Sequence, residues 1–487
     1  MFKNGIGMMF IIMISRLLGF VRAFAIAYYF GATNITDAYY SAFKISNFFR
    51  QLLGEGALGN AFIPIYNDKV KECGESGAKE LIFSTLNIVF IFSTIISILT
   101  IIFSEEIINY TVHGFNQETK MLATMLLQIM AIYFIFISLS GMMGAVLNNF
   151  KKFMIFASTG IFFNLAIIFS AYVAAKTHGI KALGYGVVLA GFLQFIVLVP
   201  SFLKIVKSYS FKINWEDPYL KKMGVMILPM LVGIFAMQVN TIVDQYFASY
   251  LEGGGVSALE NATRIYNLPI GVFGITISTL IFPILSKAIS NNDFKTVSSN
   301  ILKGLNMLTF LVVPSMVIFT VYSEDIIRMT LSYGKFDENN VIVTSRCLFY
   351  YSIGLYCYTA IHLITRGFYG MKDSKTPVKF SIMAIIINIC LNKLLIGIIS
   401  YRGLALATSI ASIANFGCLI YVFNKKHCAI NFKKLISFSK VTLVAVVVST
   451  ILSYPVDNII LRLIVFSLIY LLMWCYPFHR RGMGIFS

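Results

Sequence analysis

The stretch IGMMFIIMISRLLGFVRAFAIAYYF (6–30) decides how this chain folds, because it is long enough to cross a bilayer yet contains two arginines. Arg16 and Arg22 lie inside this run, and Arg50 lies inside the next one, KISNFFRQLLGEGALGNAFIPIY (44–66). A charge at bilayer depth costs about 2.5 kcal/mol or more on insertion scales, so such residues usually face a cavity and carry function. The pattern indicates a membrane protein that handles an anionic group.

The composition of the rest of the chain agrees with this interpretation. Of 487 residues, 58% are hydrophobic and only 12% are charged, and the mean hydropathy is +0.81. Each transmembrane helix needs about 20 apolar residues, and we count fourteen such segments. The apolar runs are continuous, which argues against a β-barrel, and the first run lacks a cleavage site for a signal peptidase. We therefore predict an all-α polytopic membrane protein with fourteen transmembrane helices.

The net charge of +18 reflects the orientation of the chain in the membrane rather than binding to nucleic acid. Lysine and arginine are about three times as frequent in one set of alternate loops as in the other. Positive loops face the cytoplasm, so we expect both termini to be cytoplasmic. The seven cysteines are scattered without a CxxC pair, which is typical of small packing residues.

The chain also contains an internal repeat. KISN (44–47) matches RIYN (264–267), and SEEII (104–108) matches SEDII (323–327), both at an offset of about 220 residues. The repeat unit holds six helices, so the two lobes should have the same orientation, related by a pseudo-twofold axis along the membrane normal. Transporters built this way place substrate between the lobes. The predicted domains are an N-lobe (1–215), a C-lobe (216–428) and an appended helix pair (429–487).

Ionisable residues line the predicted helices of both lobes. The second span carries a polar stripe: Asp37, Lys44, Asn47, Gln51 and Glu55. At ~100° per residue these five positions fall within about 80° of one another, so the stripe should face a cavity or a partner. In the second lobe, Glu260 and Arg264 have ion-pair spacing, and Arg264 is the repeat counterpart of Lys44. The set is cationic overall, although internal pairing or snorkelling of these charges is the alternative.

A second constellation combines oxygen-bearing side chains of the seventh, eleventh and twelfth spans. Its members are Asp244, Asn388, Asn392 and Thr408. One carboxylate, two amide oxygens and a hydroxyl could bind a hard cation. Alternatively, Asp244 pairs with an arginine and the asparagines bridge helices.

Four stretches resemble the MurJ/MviN lipid II flippases of the multidrug/oligosaccharidyl-lipid/polysaccharide exporter superfamily. They are SRLLGFVRAFAIAYYFGA (15–32), TDAYYSAFKISNFFRQLLGEGALGNAFIPIY (36–66), ATRIYNLPIGVFGITISTLIFPILSKAIS (262–290) and RGFYGMKDSKTPVK (366–379). The resemblance covers the first twelve spans, whereas the last two match only in number and position. It implies a carrier that moves an undecaprenyl-diphosphate-linked disaccharide-pentapeptide from the inner to the outer leaflet for peptidoglycan synthesis. The last two spans would form a groove for the lipid tail.

The resemblance also implies roles for individual residues. It implies that Arg16, Arg22, Arg50 and Arg264 hold the diphosphate, and we add Lys44 because it is the repeat counterpart of Arg264. The family's acids carry over to Asp37 and Glu55, which would pair with the arginines or gate the cavity when substrate is absent. Glu260 joins these cavity acids on the strength of its spacing to Arg264. A sodium site would comprise Asp244, Asn388, Asn392, Thr408 and the Leu404 carbonyl. The chain departs from the family at Ala23, where many members have aspartate, and at Asn392, where some have a carboxylate.

We therefore expect a monomeric, multi-pass protein of the bacterial cytoplasmic membrane, with no enzymatic activity. Na⁺ is the candidate coupling ion, and no other cofactor is expected. Lipid II and membrane lipids are the expected partners, with the cell-wall synthesis or division machinery as candidates.

A flippase for another polyprenyl-diphosphate-linked glycan is the main alternative. Three other classes are disfavoured. A drug/cation antiporter should have an acidic cavity, and a membrane enzyme should have a clustered set of catalytic residues. A scaffold that no longer transports should lack the charges within its helices.

Overall fold

The computed structural model describes residues 2–55, 57–176, 179–207 and 209–481, and within these ranges the chain forms helices and no strands. The predicted all-helical class is confirmed. The chain divides into two compact units: unit 1 is Met1–Ser257 with Leu331–Asn340, and unit 2 is Ala258–Thr330 with Val341–Ser487. These units are defined by contacts within the structure, whereas the predicted lobes are defined by the sequence repeat. The lobe boundaries therefore remain a prediction.

Unit 1 is a helical bundle whose interior is built from apolar and small residues. Its elements are α1 (Phe2–Phe30), α2 (Asn34–Phe49), the π-helix π1 (Arg50–Glu55), α3 (Ala57–Ile102), α4 (Ser104–Thr111), α5 (Gln117–Ala131), α6 (Tyr133–Asn149), α7 (Phe153–Lys176), α8 (Lys181–Val206) and α9 (Pro218–Ala248). Phe62, Met142 and Phe202 are buried in one hydrophobic core, where α3, α6 and α8 meet. Small residues let helices approach closely in a membrane protein. A β-carbon at Gly186 of α8, for example, would lie 2.5 Å from the Ser170 hydroxyl of α7.

Unit 2 packs its C-terminal helix pair against a long helix. Its elements are α10 (Gly255–Pro269), the π-helix π2 (Ile270–Gly274), α11 (Ile275–Ser290), α12 (Phe294–Val321), α13 (Ser323–Leu331), α14 (Glu338–Ser352), α15 (Leu355–Gly370), α16 (Lys375–Ile399), α17 (Tyr401–Lys426), α18 (Phe432–Ser453) and α19 (Ile459–Arg481). The first three residues of α10, the last residue of α13 and the first three residues of α14 belong to unit 1. Tyr470 of α19 donates a 2.8 Å hydrogen bond to the Phe310 carbonyl of α12. Val446 of α18 and Phe466 of α19 complete this core.

Three kinds of helix interruption recur at equivalent positions of the sequence repeat. The π-helices π1 and π2 begin at Arg50 and Ile270. The short helices α4 and α13 each begin at the serine of the repeated SEEII or SEDII motif. The breaks between α5 and α6 and between α14 and α15 also correspond, at an offset of about 220 residues. This recurrence supports the internal repeat, and π-helices often mark functional positions.

The multi-pass character predicted from the sequence is confirmed. Among the described residues, 10 helices are long and apolar enough to cross a membrane, or up to 11 if the pair α14 and α15, bent by 45°, forms one span. Helix α3 covers parts of two predicted spans. Gly74 (φ 71°) breaks the helical conformation within α3 and separates these two parts. The count of fourteen spans and the side on which the termini lie remain predictions.

Candidate site for an anionic substrate

Arg22 on α1 lies against two aromatic rings. Its guanidinium carbon is 5.7 Å from the ring centroid of Phe43 on α2 and 5.3 Å from that of Phe163 on α7. A guanidinium within about 6 Å of an aromatic centroid is attracted by the negative face of the ring. The side chain of Arg22 is half-buried, and position 23 is alanine. The rings therefore provide an environment that stabilises the charge within an apolar helix.

Close packing of α7 on α1 fixes the position of Phe163. The Asn164 side-chain amide donates to the Ser15 carbonyl of α1 and to the Gly160 carbonyl of its own helix, both at 2.9 Å. A β-carbon at Gly160 would lie 2.4 Å from the Ser15 hydroxyl, so a larger residue there would force the Ser15 side chain to move. The neighbouring Phe163 is thereby held at a defined distance from α1.

Arg50 is the first residue of π1. Its Nε donates a 2.8 Å hydrogen bond to Asn47 Oδ1, and Gln51 accepts a hydrogen bond from Gln238 of α9. The predicted stripe assumed uniform α-helical spacing, and this is wrong beyond residue 49, because a π-helix bonds residue i to i+5 and shifts the faces that follow. Glu55 ends π1, and its side chain lies outside the described residues.

The side chain of Asp37, in the first turn of α2, is buried against the beginning of α10 rather than facing a cavity. Its Oδ2 accepts from the Gly254 N–H at 2.7 Å, and its Oδ1 accepts from the Ser257 N–H at 2.7 Å and from the Ser257 hydroxyl at 2.6 Å. Carboxylates at helix N-termini satisfy N–H groups that lack intrahelical partners. This differs from the prediction that Asp37 lies on a cavity face, because both of its oxygens accept hydrogen bonds from the α9–α10 turn and the start of α10.

Lys44 and Arg16 lie in two different environments within unit 1. Lys44 lines a cavity of ≈ 160 Å³ between α2, α4 and α9. The other lining residues are mainly apolar and include Phe48 and Phe235, with Gln238 contributing an amide. Arg16 lies on an exposed surface of α1. Lys44 is thus placed where an amphiphile could contact both a cation and apolar rings.

In unit 2, Glu260 and Arg264 lie one turn apart on α10, and both are half-buried. Arg264 lies six residues before π2, as Lys44 lies six residues before π1. The structure thus supports the predicted equivalence of Lys44 and Arg264 within the repeat.

The second constellation is partly assembled within unit 2. Asn392 Nδ2 donates to Asn388 Oδ1 at 3.0 Å, and Asn388 Nδ2 donates to Thr408 Oγ1 at 3.3 Å. Thr408 in turn donates to the Leu404 carbonyl at 3.1 Å. These four residues form one hydrogen-bonded chain between α16 and α17. Asp244 belongs to unit 1, where its Oδ2 accepts from Asn240 at 3.2 Å.

Sequence reasoning missed the aromatic and capping partners of these charges. Phe43, Phe163 and Ser257 were not identified as functional. The available signal was an arginine in an apolar helix without an acidic neighbour in sequence, which favours aromatic partners.

In the part of the chain that the structure describes, ten or eleven apolar helices, an internal repeat and cations held among the helices define a class, the polytopic membrane transporters. Comparison with known proteins identifies the family. The family model for the lipid II flippase MurJ matches residues 26–473. The chain therefore belongs to the lipid II flippase MurJ family, and the family predicted from the sequence is confirmed.

Individual relatives agree with this assignment. The probable lipid II flippase MurJ of Buchnera aphidicola subsp. Baizongia pistaciae is 34% identical over 439 residues, covering 88% of this chain and 84% of the relative. The corresponding protein of Vibrio cholerae is 31% identical over 428 residues, covering 86% and 82%.

Solved structures show the same fold. A lipid II flippase MurJ in an inward closed conformation matches with a TM-score of 0.84 at 29% identity, covering 99% of this chain and 100% of that one. An inward-facing multidrug resistance MATE family transporter of the MOP superfamily matches with a TM-score of 0.71 at 12% identity, covering 89% and 99%. The latter likeness concerns the fold alone.

Proposed function

We propose that this protein is a lipid II flippase that moves the undecaprenyl-diphosphate-linked peptidoglycan precursor from the inner to the outer leaflet of the cytoplasmic membrane by alternating access. Family membership across residues 26–473 is the observation that carries the proposal. The work of the protein is transport, without covalent chemistry. Membrane lipids are its other expected contacts.

The arginines have an electrostatic role in this proposal. Arg16, Arg22 and Arg50 in unit 1, with Lys44, bind the diphosphate, and Arg264 is the corresponding cation of unit 2. Guanidinium groups suit phosphate oxygens because they offer several N–H donors in a fixed plane. The half-buried positions of Arg22, Arg50 and Arg264 support this role, since water competes less for a partly buried charge. Glu55 and Glu260 are proposed to balance these charges between transport cycles.

Na⁺ is the proposed coupling ion. Oxygen ligands suit hard cations, and the chain of Asn388, Asn392, Thr408 and the Leu404 carbonyl supplies amide, hydroxyl and carbonyl oxygens within unit 2. Asp244 would add the carboxylate. In this proposal the inward Na⁺ gradient, together with the membrane potential, drives the cycle.

The topology and assembly state complete the proposal. Fourteen spans would result if α2, π1 and the first part of α3 together form one span, if the second part of α3 forms another, and if the pair α14 and α15, α9 and α19 also cross the membrane, with both termini cytoplasmic. The protein is proposed to act as a monomer, with the cell-wall synthesis or division machinery as candidate partners. Cysteine labelling from each side, at positions 3 and 480, tests the termini directly.

Transport by the purified protein tests the function. We expect proteoliposomes containing the protein to translocate lipid II, faster with a Na⁺ gradient than without one. Excess undecaprenyl diphosphate should compete, because it shares the charged group. Equal translocation of a different polyprenyl-diphosphate-linked glycan would favour the broader flippase alternative, and no translocation of either would contradict the proposal.

A further inference from the structure

We propose that Phe43 and Phe163 are positioning residues that hold Arg22 in the orientation in which it binds the diphosphate. The two rings are called the aromatic clamp. This inference rests on the proposed function, and it concerns how one of the proposed cations is presented to the substrate.

The geometry of the aromatic clamp places both rings within reach of one guanidinium. The Arg22 guanidinium carbon lies 5.7 Å from the Phe43 centroid and 5.3 Å from the Phe163 centroid. The two ring centroids are 6.3 Å apart with an interplanar angle of 36°. Because the rings come from α2 and α7 and the arginine comes from α1, three helices define the position of the charge.

Each ring is itself held by further aromatic contacts. Phe43 stacks on Tyr39 at 5.9 Å with an interplanar angle of 11°, and Phe163 contacts Tyr133 at 6.1 Å. Tyr39 and Tyr133 are both buried at 1% exposure. The hydrogen bonds of Asn164 to α1 and α7 fix the adjacent backbone. The aromatic clamp is therefore preorganised before substrate arrives, which lowers the ordering cost of binding.

Aromatic rings and carboxylates affect an arginine differently. A carboxylate binds the in-plane N–H donors of a guanidinium, and these are the same donors that a phosphate requires. A ring attracts the cation through its π-face and takes none of these conventional donor positions. Since position 23 is alanine, the residue after Arg22 offers no competing carboxylate. The two rings thus attract the charge through their faces, a contact that does not itself use the N–H donors of the guanidinium.

Fluorination of the ring separates this role from packing. We would replace Phe163 with mono-, di- and trifluorophenylalanine, which keep the ring shape while progressively weakening its negative face. The protein in nanodiscs is titrated with undecaprenyl diphosphate, and Kd is measured by native mass spectrometry. The same series at Phe136, whose ring contacts Phe192 at 5.5 Å, serves as the control.

We expect Kd to rise stepwise with fluorine number at position 163, by about three- to tenfold for the trifluoro residue. Phe163→Trp should keep affinity and Phe163→Leu should lose it, whereas the series at Phe136 should be flat. A flat series at position 163, with affinity lost only in Phe163→Leu, would show that the ring merely packs and would overturn the inference. If Arg22→Ala leaves Kd unchanged, the diphosphate-binding role of Arg22 on which the inference rests fails. If the protein binds undecaprenol as tightly as undecaprenyl diphosphate, the proposed function itself fails.

Discussion

The Asp37 carboxylate accepts hydrogen bonds from the Ser257 N–H at 2.7 Å and the Ser257 hydroxyl at 2.6 Å, which ties the beginning of α2 to the beginning of α10. The two residues are 220 positions apart in sequence. Both residues belong to unit 1, and each lies in the first turn of its helix. Asp37 is therefore a structural cap, and its loss should be seen first in stability.

Asp37→Ala should lower the free energy of unfolding by about 2 kcal/mol or more, because three buried hydrogen bonds lose their charged acceptor. Ser257→Ala removes only the hydroxyl and should cost about 1 kcal/mol. The midpoint of thermal unfolding in detergent measures both. Ser46→Ala is the matched control, since that buried hydroxyl bonds only the Ala42 carbonyl of its own helix. Equal midpoints for Asp37→Ala and Ser46→Ala would argue against the cap.

A buried ion pair should stabilise the start of α9. Lys69 Nζ lies 2.6 Å from Asp217 Oδ2, and the two side chains are only 7% and 3% exposed. Lys69→Ala leaves a buried carboxylate without its cation and should cost about 3–5 kcal/mol. The pair of Lys222 and Asp68 is 3.6 Å long and largely exposed, so Lys222→Ala should cost at most about 1 kcal/mol. Comparable losses of thermal stability in the two variants would contradict this ranking.

Glycine is required at position 254, in the turn that contacts Asp37. Gly254 has φ +92°, and a β-carbon there would lie 2.3 Å from the Ala32 carbonyl oxygen. Gly254→Ala should therefore destabilise the protein by about 2 kcal/mol or more. Gly224 in α9 has no neighbour within 4 Å of a β-carbon, so Gly224→Ala should leave stability unchanged or raise it by about 1 kcal/mol. An unaltered midpoint for Gly254→Ala would refute the close approach.

The pH dependence of stability should reveal the environment of Asp373, in the loop between α15 and α16. Burial alone would raise the pKa of Asp373, but hydrogen bonds from Lys426, Thr376 and His427 outweigh it and lower the pKa below its ordinary value. A lowered pKa stabilises the fold above the unfolded-state pKa of about 3.9 and loses this contribution as pH falls below it. The difference in unfolding midpoint between wild type and Asp373→Asn should shrink as the pH falls below about 4. A difference that grows below about pH 4 would have the wrong sign.

Features set by local composition were predictable from the sequence. Apolar length, the lysine and arginine bias and the repeated motifs indicate a duplicated helical membrane protein, because bilayer thickness and insertion energetics act on short stretches. The cost of burying a charge drew attention to Arg16, Arg22 and Arg50 for the same reason.

Features set by tertiary contacts were not predictable. The hydrogen bond between Asp37 and the Gly254 N–H joins residues 217 positions apart, and nothing near Asp37 in sequence signals it. The π-helix at Arg50–Glu55 changed the faces that uniform spacing predicts. The aromatic partners of Arg22 come from two other helices, so only packing brings them together.

The most direct test of the central claim is the leaflet accessibility of lipid II in cells depleted of their own flippase and supplied with this protein. We predict that wild-type protein and Arg328→Ala, which alters an exposed pair with Glu324, place lipid II in the outer leaflet. Arg22→Ala and Arg50→Ala, at equal expression, should leave it in the inner leaflet. Outer-leaflet lipid II at the wild-type level with Arg22→Ala and Arg50→Ala would contradict the claim that these arginines bind the diphosphate.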